Sequence, residues 1–169
     1  MDEAKGVAEL TAFFVEHLRR SPGSPWHLVL AGPGDAAAVG VPTHERIELV
    51  GSLDEGAKAS LLSACDLVVM PSIHESLSIA LVEGWFARRP SLVNGRNPVL
   101  VNQVRRANGG LWYDDAAGFD SALAMLDESV RAALGEQGYR FANSTYARGN
   151  TQDIFRRILN ELRALASLR

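Results

Sequence analysis

An α/β fold, built on a parallel sheet with helices on both faces, is what this sequence predicts. Short apolar runs suited to buried strands recur at 26–31, 46–50, 66–70, 90–94 and 111–113. Segments with helical spacing separate most of them, and such alternation argues for parallel strands joined by crossovers. The third observation is a departure: the chain opens with a helix, whereas a doubly wound unit opens with the strand that lies mid-sheet. Either a first strand is missing and the chain is a fragment, or two halves of a sheet meet in an unusual way. Partial exposure at that place, or cover from a second copy, is expected.

The 169 residues suffice for one domain with a sizeable core, so 1–169 is read as a single domain. Hydrophobic residues make up 47 % and charged residues 22 %, as in ordinary globular proteins. A formal net charge of -3 implies no general attraction to nucleic acid or to an anionic membrane. No apolar run approaches the ~20 residues that span a bilayer, which leaves only peripheral membrane contact open. The amino terminus MDEAKGVAEL lacks the basic-then-apolar layout of a secretion signal. Cys65 is the sole cysteine, so neither an internal disulfide nor a multi-cysteine metal site can form, and a cytoplasmic location is expected.

Each element has its own signal. Val7, Leu10, Phe13, Phe14 and Leu18 make residues 4–20 an amphipathic helix, ended by Ser21, Pro22 and Gly23. The strand at 26–31 runs into the turn Gly32-Pro33-Gly34-Asp35, and residues 36–45 read as a short helix or loop. The strand at 46–50 stops at Gly51. Ser52 or Asp54 caps a helix at 54–64, with Leu53, Ala57, Leu61 and Leu62 as its inner face. The strand at 66–70 meets the breaker Pro71-Ser72, and a largely apolar helix comes next, up to Arg89. The strand at 90–94 leads into a turn with Pro98 at the first position of a helix running to Ala107. A short strand at 111–113 precedes a helix at 117–126 capped by Asp114 or Asp115. Helices at 129–143 and 151–168 complete a Rossmann-like pattern, the last of them suited to docking on an absent domain.

The chemistry concentrates at the junction between the strand at 66–70 and the helix after it. A strand, a turn and a helix amino terminus make an anion site, because the first helical N–H groups have no partner. Glu83 stands among Leu77, Ile79, Leu81, Val82, Trp85 and Phe86, where an unpartnered carboxylate costs several kcal/mol. It is therefore read as kept for a ligand, against the alternative of pairing with Arg88, Arg89 or a backbone group. Glu75 can serve equally as a helix-end carboxylate, worth roughly 0.3–1 kcal/mol. Eight helical positions would set the two carboxylates about 12 Å apart. That span suits a ligand with hydroxyls at both ends and phosphate between, held by the N–H groups of Ser76, Leu77 and Ser78.

The segment PSIHESLSIALVEGW resembles the E-x7-E segment of GT-B retaining glycosyltransferases of the group 1 or family 4 type. WHLVLAGPGD, RIELVGSL, ACDLVVMPS, Lys5-Gly6 and NGGLWYDD resemble other parts of that family in the same order. The resemblance covers nearly the whole chain but only the C-terminal, donor-binding half of such enzymes. It implies that Glu83 binds the ribose of a nucleotide sugar and that Glu75 faces the donor sugar. It also implies that Ser76, Leu77 and Ser78 lie by the diphosphate, that Lys5 neutralises it, and that Gly32, Gly34 and Gly51 let backbone approach the nucleotide. An alternative for Lys5 is a solvated lysine at a helix start.

Two departures stand out. The family's first strand, and an Arg shortly before the Lys, fall before Met1. Ser76 and Ser78 occupy positions where the family often has glycine. The resemblance implies a hexosyltransferase: retaining transfer from a nucleoside diphosphate sugar to an acceptor hydroxyl, with no metal and no cofactor beyond the donor. Its partners would be the nucleotide sugar and an N-terminal GT-B domain or second chain, without which the isolated chain should be inactive. The competing readings are a non-catalytic nucleotide-binding or interaction module, and an epimerase or phosphorylase of the same architecture.

Other signals are weaker. His74-Glu75 opens like H-E-x-x-H, but Ser78 stands at the last position and excludes that zinc site. The turn after the first strand lacks the third glycine of a nicotinamide fingerprint. His17, His27 and His44 are read as surface residues, and Trp85, Phe86, Trp112 and Tyr113 as core or interdomain packing. Arg105-Arg106 reads as a solvated helix end.

Overall fold

The computed structural model describes residues 6–35 and 38–147. In chain order the elements are α1 (Val7–Arg20), β1 (Leu28–Ala31), β2 (Ile47–Gly51), α2 (Glu55–Ala64), β3 (Val68–Met70) and α3 (Ile79–Phe86). Then come β4 (Ser91–Asn94), α4 (Pro98–Ala107), β5 (Gly110–Tyr113), α5 (Ala116–Met125) and α6 (Glu128–Tyr146). The region expected to be a short helix or loop is turn and irregular chain at 38–46. Lys5 and the helix expected at 151–168 lie outside the described residues.

All strand pairs are parallel, but they form two sheets: β1 with β2, and β3-β4-β5 with β4 in the middle. β4 is buried at all four positions and feeds both layers. Leu92 joins Leu10 and Phe14 of α1, Leu28 and Leu30 of β1, and Phe119 of α5 in one core. Val93 points the other way, into a core of Leu81, Trp85, Leu100, Val104 and Ala142 from α3, α4 and α6. Helices therefore cover both faces of the three-stranded sheet, as the alternation of elements requires.

Local chemistry places the helix ends. Asp54, Asp115 and Asp127 accept from the N–H groups of Ala57, Gly118 and Val130, each supplying a partner for an otherwise orphaned donor. Asn97 caps α4 and Pro98 takes its first turn, where a missing N–H costs nothing. On α6, Gly138 lets the helix press on α3: a Cβ there would stand 2.4 Å from the Trp85 ring. Trp85 is itself fully buried and donates from Nε1 to Ser91 Oγ at 2.9 Å and to the Gly109 carbonyl at 3.0 Å.

Two expectations fail. His17 is not a surface residue: it is 7 % exposed, with Nδ1 2.5 Å from Asp120 Oδ1 and Nε2 2.8 Å from Ser24 Oγ. It ties α1 to α5 and to the loop before β1, so a polar residue on an otherwise apolar helix face is satisfied inside the core. The inner face assigned to α2 is not buried either, since no residue of that helix is. Leu61 and Leu62 are only half-buried and join neither core cluster.

Candidate functional site

The loop between β3 and α3 is held from below by two buried asparagines. Asn94, at the carboxyl end of β4, donates from Nδ2 to the Pro71 carbonyl at 3.1 Å and accepts from the Arg96 N–H at 3.0 Å. Asn97 donates from Nδ2 to the Ser72 carbonyl at 3.3 Å, while its Oδ1 accepts from the Val99 and Leu100 N–H groups. Both are 1 % exposed. Glu9 of α1 joins this cluster through Arg96. Gly6, with φ of 68°, lets α1 start in close contact with Pro71: a Cβ would stand 2.3 Å from the Pro71 carbonyl oxygen.

Beside these asparagines lies a depression of about 540 Å³, open to solvent, lined by residues 73–76 of the loop and by 97–99 at the start of α4. Its size falls within the ~300–1,000 Å³ range of small-molecule sites. Glu75 and Ser76 are on its wall. The helix after Pro71 starts later than expected. Ser78 is its cap, accepting from the Leu81 N–H, and α3 begins at Ile79. Ser76 and Leu77 therefore belong to the loop, with Leu77 47 % exposed, and the eight-position helical spacing between Glu75 and Glu83 does not apply. The capping hydroxyl is the reason, since it fixes Ser78 in an extended backbone conformation.

Glu83 lies within α3, away from the wall of the depression, with its side chain 29 % exposed. Its Oε1 is 2.9 Å from Lys58 Nζ of α2, and Lys58 also reaches Glu55 Oε2 at 2.9 Å. The hydrogen bond to Glu83 first, then that to Glu55, holds the Lys58 ammonium above the usual lysine range. Glu83 thus has a structural partner, though neither Arg88 nor Arg89: Arg88 pairs with Glu136, and Arg89 donates to the Leu62 and Ser63 carbonyls.

Gly32, Gly34 and Gly51 cluster at the carboxyl ends of β1 and β2, all with positive φ (141°, 118° and 67°). The Gly32 N–H donates to the Gly51 carbonyl at 2.8 Å, and a Cβ on either residue would meet nothing within 4 Å. The structure therefore gathers Glu75 and Ser76 with the α4 amino terminus. It sets Glu83 with Lys58, and leaves the glycines on the other sheet. Asn94, Asn97 and Lys58 are the residues that sequence reasoning missed. The Asn97-Pro98 pair carried a capping signal; Lys58 meets Glu83 across 25 positions of chain and carried none.

Parallel strands with helices on both faces, and a depression beyond the carboxyl ends of β3 and β4, are the layout of the doubly wound α/β class. The model of the family described as glycosyl transferases group 1 matches residues 1–128, and the chain belongs to that family. The lipopolysaccharide core biosynthesis glycosyltransferase LpsE of Rhizobium meliloti (strain 1021) is 29 % identical over 167 residues, covering 93 % of this chain and 46 % of LpsE. This chain thus spans under half the length of that relative. Sucrose-phosphate synthase from Thermosynechococcus elongatus superimposes with a TM-score of 0.74 at 20 % identity, covering 99 % of this chain and 44 % of that one. The Anabaena protein HepE, in complex with UDP-glucose, gives 0.72 at 16 % identity, covering 95 % and 46 %. These likenesses show the fold, GT-B with this chain matching one half of each longer protein. No helix among the described residues is long and apolar enough to cross a membrane.

Proposed function

We propose that this domain holds the donor for a retaining glycosyl transfer in the cytoplasm, in which a hexose passes from a nucleoside diphosphate sugar to an acceptor hydroxyl. The bond from the anomeric carbon to the diphosphate breaks, the acceptor oxygen takes its place on the same face, and the nucleoside diphosphate leaves with the proton the acceptor hydroxyl gives up. The observation that carries the reading is Glu75 on the wall of a depression of about 540 Å³ that the amino terminus of α4 also lines. In this reading Glu75 meets the donor sugar, and the loop N–H groups of residues 76–78 and the helix ends meet the diphosphate. Glu83 accepts from the ribose hydroxyls with the oxygen that Lys58 leaves open, and Lys5 offsets phosphate charge. Membership of the family and the UDP-glucose bound by HepE support the choice of ligand. The chain needs no metal or further cofactor for this role, and an N-terminal GT-B half supplies the acceptor.

Titration calorimetry with uridine, guanosine and adenosine diphosphates tests the reading. Binding of one of them, weakened about tenfold or more by Glu83→Ala, is expected, the size of one or two charge-assisted hydrogen bonds. Equal binding by both proteins would remove the ribose assignment.

A second reading, a non-catalytic nucleotide-binding module, is favoured by the pairing of Glu83 with Lys58. Supplying an acceptor-binding half and assaying sugar transfer separates the two: nucleotide binding without transfer selects the module.

A further inference from the structure

Charge is unevenly spread along this chain. Residues 84–113 hold five arginines and no aspartate or glutamate, although acidic residues outnumber basic ones overall by 20 to 17. Arg96 stands apart, in the turn before α4 and paired with Glu9. The other four fall in two adjacent pairs: Arg88-Arg89 follows the end of α3, and Arg105-Arg106 lies in the last turn of α4. Because β4 and β5 are parallel, both helices end at the amino ends of those strands, the edge of the sheet opposite the depression. Helix dipoles favour cations at such ends but do not strip carboxylates from the whole stretch around them.

α6 joins the two helix ends into one face. Arg88 pairs with Glu136 and lies over the Tyr139 ring, 3.7 Å from its centre. Arg106 lies over the Phe141 ring at 5.6 Å, and Asn108 donates to Gln137. Arg140 also bonds Glu136, at 3.0 Å. Glu136 is thus shared by two guanidiniums, and the other glutamate of α6, Glu128, lies about 12 Å back along the helix axis. Arg105 and Arg106 are exposed and form no ion pair among the described residues. Phe86, the last residue of α3, is 41 % exposed and belongs to neither core cluster. Arg89 is engaged elsewhere, on the Leu62 and Ser63 carbonyls.

We propose that this face, with Arg88, Arg105, Arg106 and Arg140 around the single carboxylate Glu136, rests on an anionic lipid surface. Guanidinium forks match phosphate oxygens, and those without a carboxylate partner keep their charge for an anion outside the chain. An exposed aromatic beside them suits the headgroup level of a bilayer. Charges beyond about 8 Å are largely screened at physiological ionic strength, so the local excess of arginine governs attraction here and the overall charge of -3 does not. The same net charge favours lipid over nucleic acid. A planar surface meets this face alone, whereas a long strand would also cross the acidic remainder of the chain. Seated this way, the domain keeps its depression clear of the lipid.

The test is co-sedimentation of the full chain with vesicles of phosphatidylglycerol and phosphatidylcholine in equal parts, against vesicles of phosphatidylcholine alone. Binding only to the anionic vesicles is expected, and it should weaken as salt is raised. Replacing Arg105 and Arg106 together by alanine should lower it about 30-fold, and replacing both by lysine should restore most of it. Replacing Arg19 and Arg20 by alanine removes the same charge from the end of α1, where Glu16 holds both, and should leave binding unchanged. Equal binding to both kinds of vesicle would overturn the proposal, as would an alanine pair at 105 and 106 that binds like the unaltered chain. So would an equal loss from the α1 pair, which would reduce the effect to net charge. Tighter binding to a single-stranded RNA of matched phosphate concentration would assign the face to nucleic acid and overturn it as well.

Discussion

Lys58 Nζ lies 2.9 Å from Glu83 Oε1, joining α2, none of whose residues is fully buried, to the largely apolar α3. The pair is about one-third exposed on each side, at 35 % and 29 %. An ion pair so open to water contributes about 0–1 kcal/mol. Glu83→Gln should therefore lower stability by less than about 1 kcal/mol in urea titrations. Its effect on nucleoside diphosphate binding should be far larger in proportion. A loss of about 3 kcal/mol or more would mark the pair as a buried structural bridge and weaken the case for a ligand-directed carboxylate.

Acid sensitivity should come in part from the end of α1. Hydrogen bonds from Arg19, and then from Arg20, hold the Glu16 carboxyl at about 2, below its ordinary 4.5. A depressed carboxylate stabilises the fold above its unfolded pKa and loses that contribution as pH falls through the folded one. The Glu16 contribution is thus whole above about 4.5 and fades toward about 2. Thermal melts of Glu16→Gln and the unaltered chain should converge across that window and differ most at neutral pH; a constant difference at every pH would contradict this.

Asn97 is expected to be the costliest polar residue near the depression. It is buried, caps α4 with two accepted bonds, and donates to the Ser72 carbonyl. Asn97→Ala removes a cap worth about 1 kcal/mol and leaves a buried carbonyl unpaired at about 1–3 kcal/mol. Asn97→Ser keeps a neutral capping acceptor and loses the donor to Ser72, so it should fall between the alanine variant and the unaltered chain in chemical denaturation. Both changes should also loosen the loop at 73–76 and weaken nucleotide binding.

Tyr113 offers the opposite case. Its ring is 2 % exposed and packs edge-on against Phe13 and Phe119, but its hydroxyl has no hydrogen-bond partner among the described residues. Burial, and secondarily the charge of Glu9, pushes the phenol well above its ordinary range. Tyr113→Phe removes a desolvated group without leaving a hole, so stability should stay equal or rise by up to about 1 kcal/mol. A marked fall in melting temperature would mean that the hydroxyl is bonded after all.

Much of the fold was legible because strand and helix periods are local. The five strands and the capped helices lie within a few residues of where the runs 26–31 to 117–126 placed them, and Asp54, Pro98 and Asp115 act as their residue types demand. Glu75 could be singled out as well, because a carboxylate beside a strand–turn–helix junction is visible in a short window. The late start of α3 at Ile79 was less so, since the capping hydroxyls Ser76 and Ser78 compete in sequence and only one can accept from Leu81.

By itself, then, the sequence determined the order and kind of the elements and, by resemblance, the family, since these rest on spacing and motifs along one chain. Tertiary structure alone decided which distant groups meet. His17 became a buried bridge between Asp120 and Ser24, Lys58 became the partner of Glu83, and Asn94 and Asn97 came to hold the loop after β3 through the Pro71 and Ser72 carbonyls. It also decided that β1 and β3 do not pair, because the pairing of strand edges joins residues far apart in the chain and leaves no mark in the periodicity of either strand.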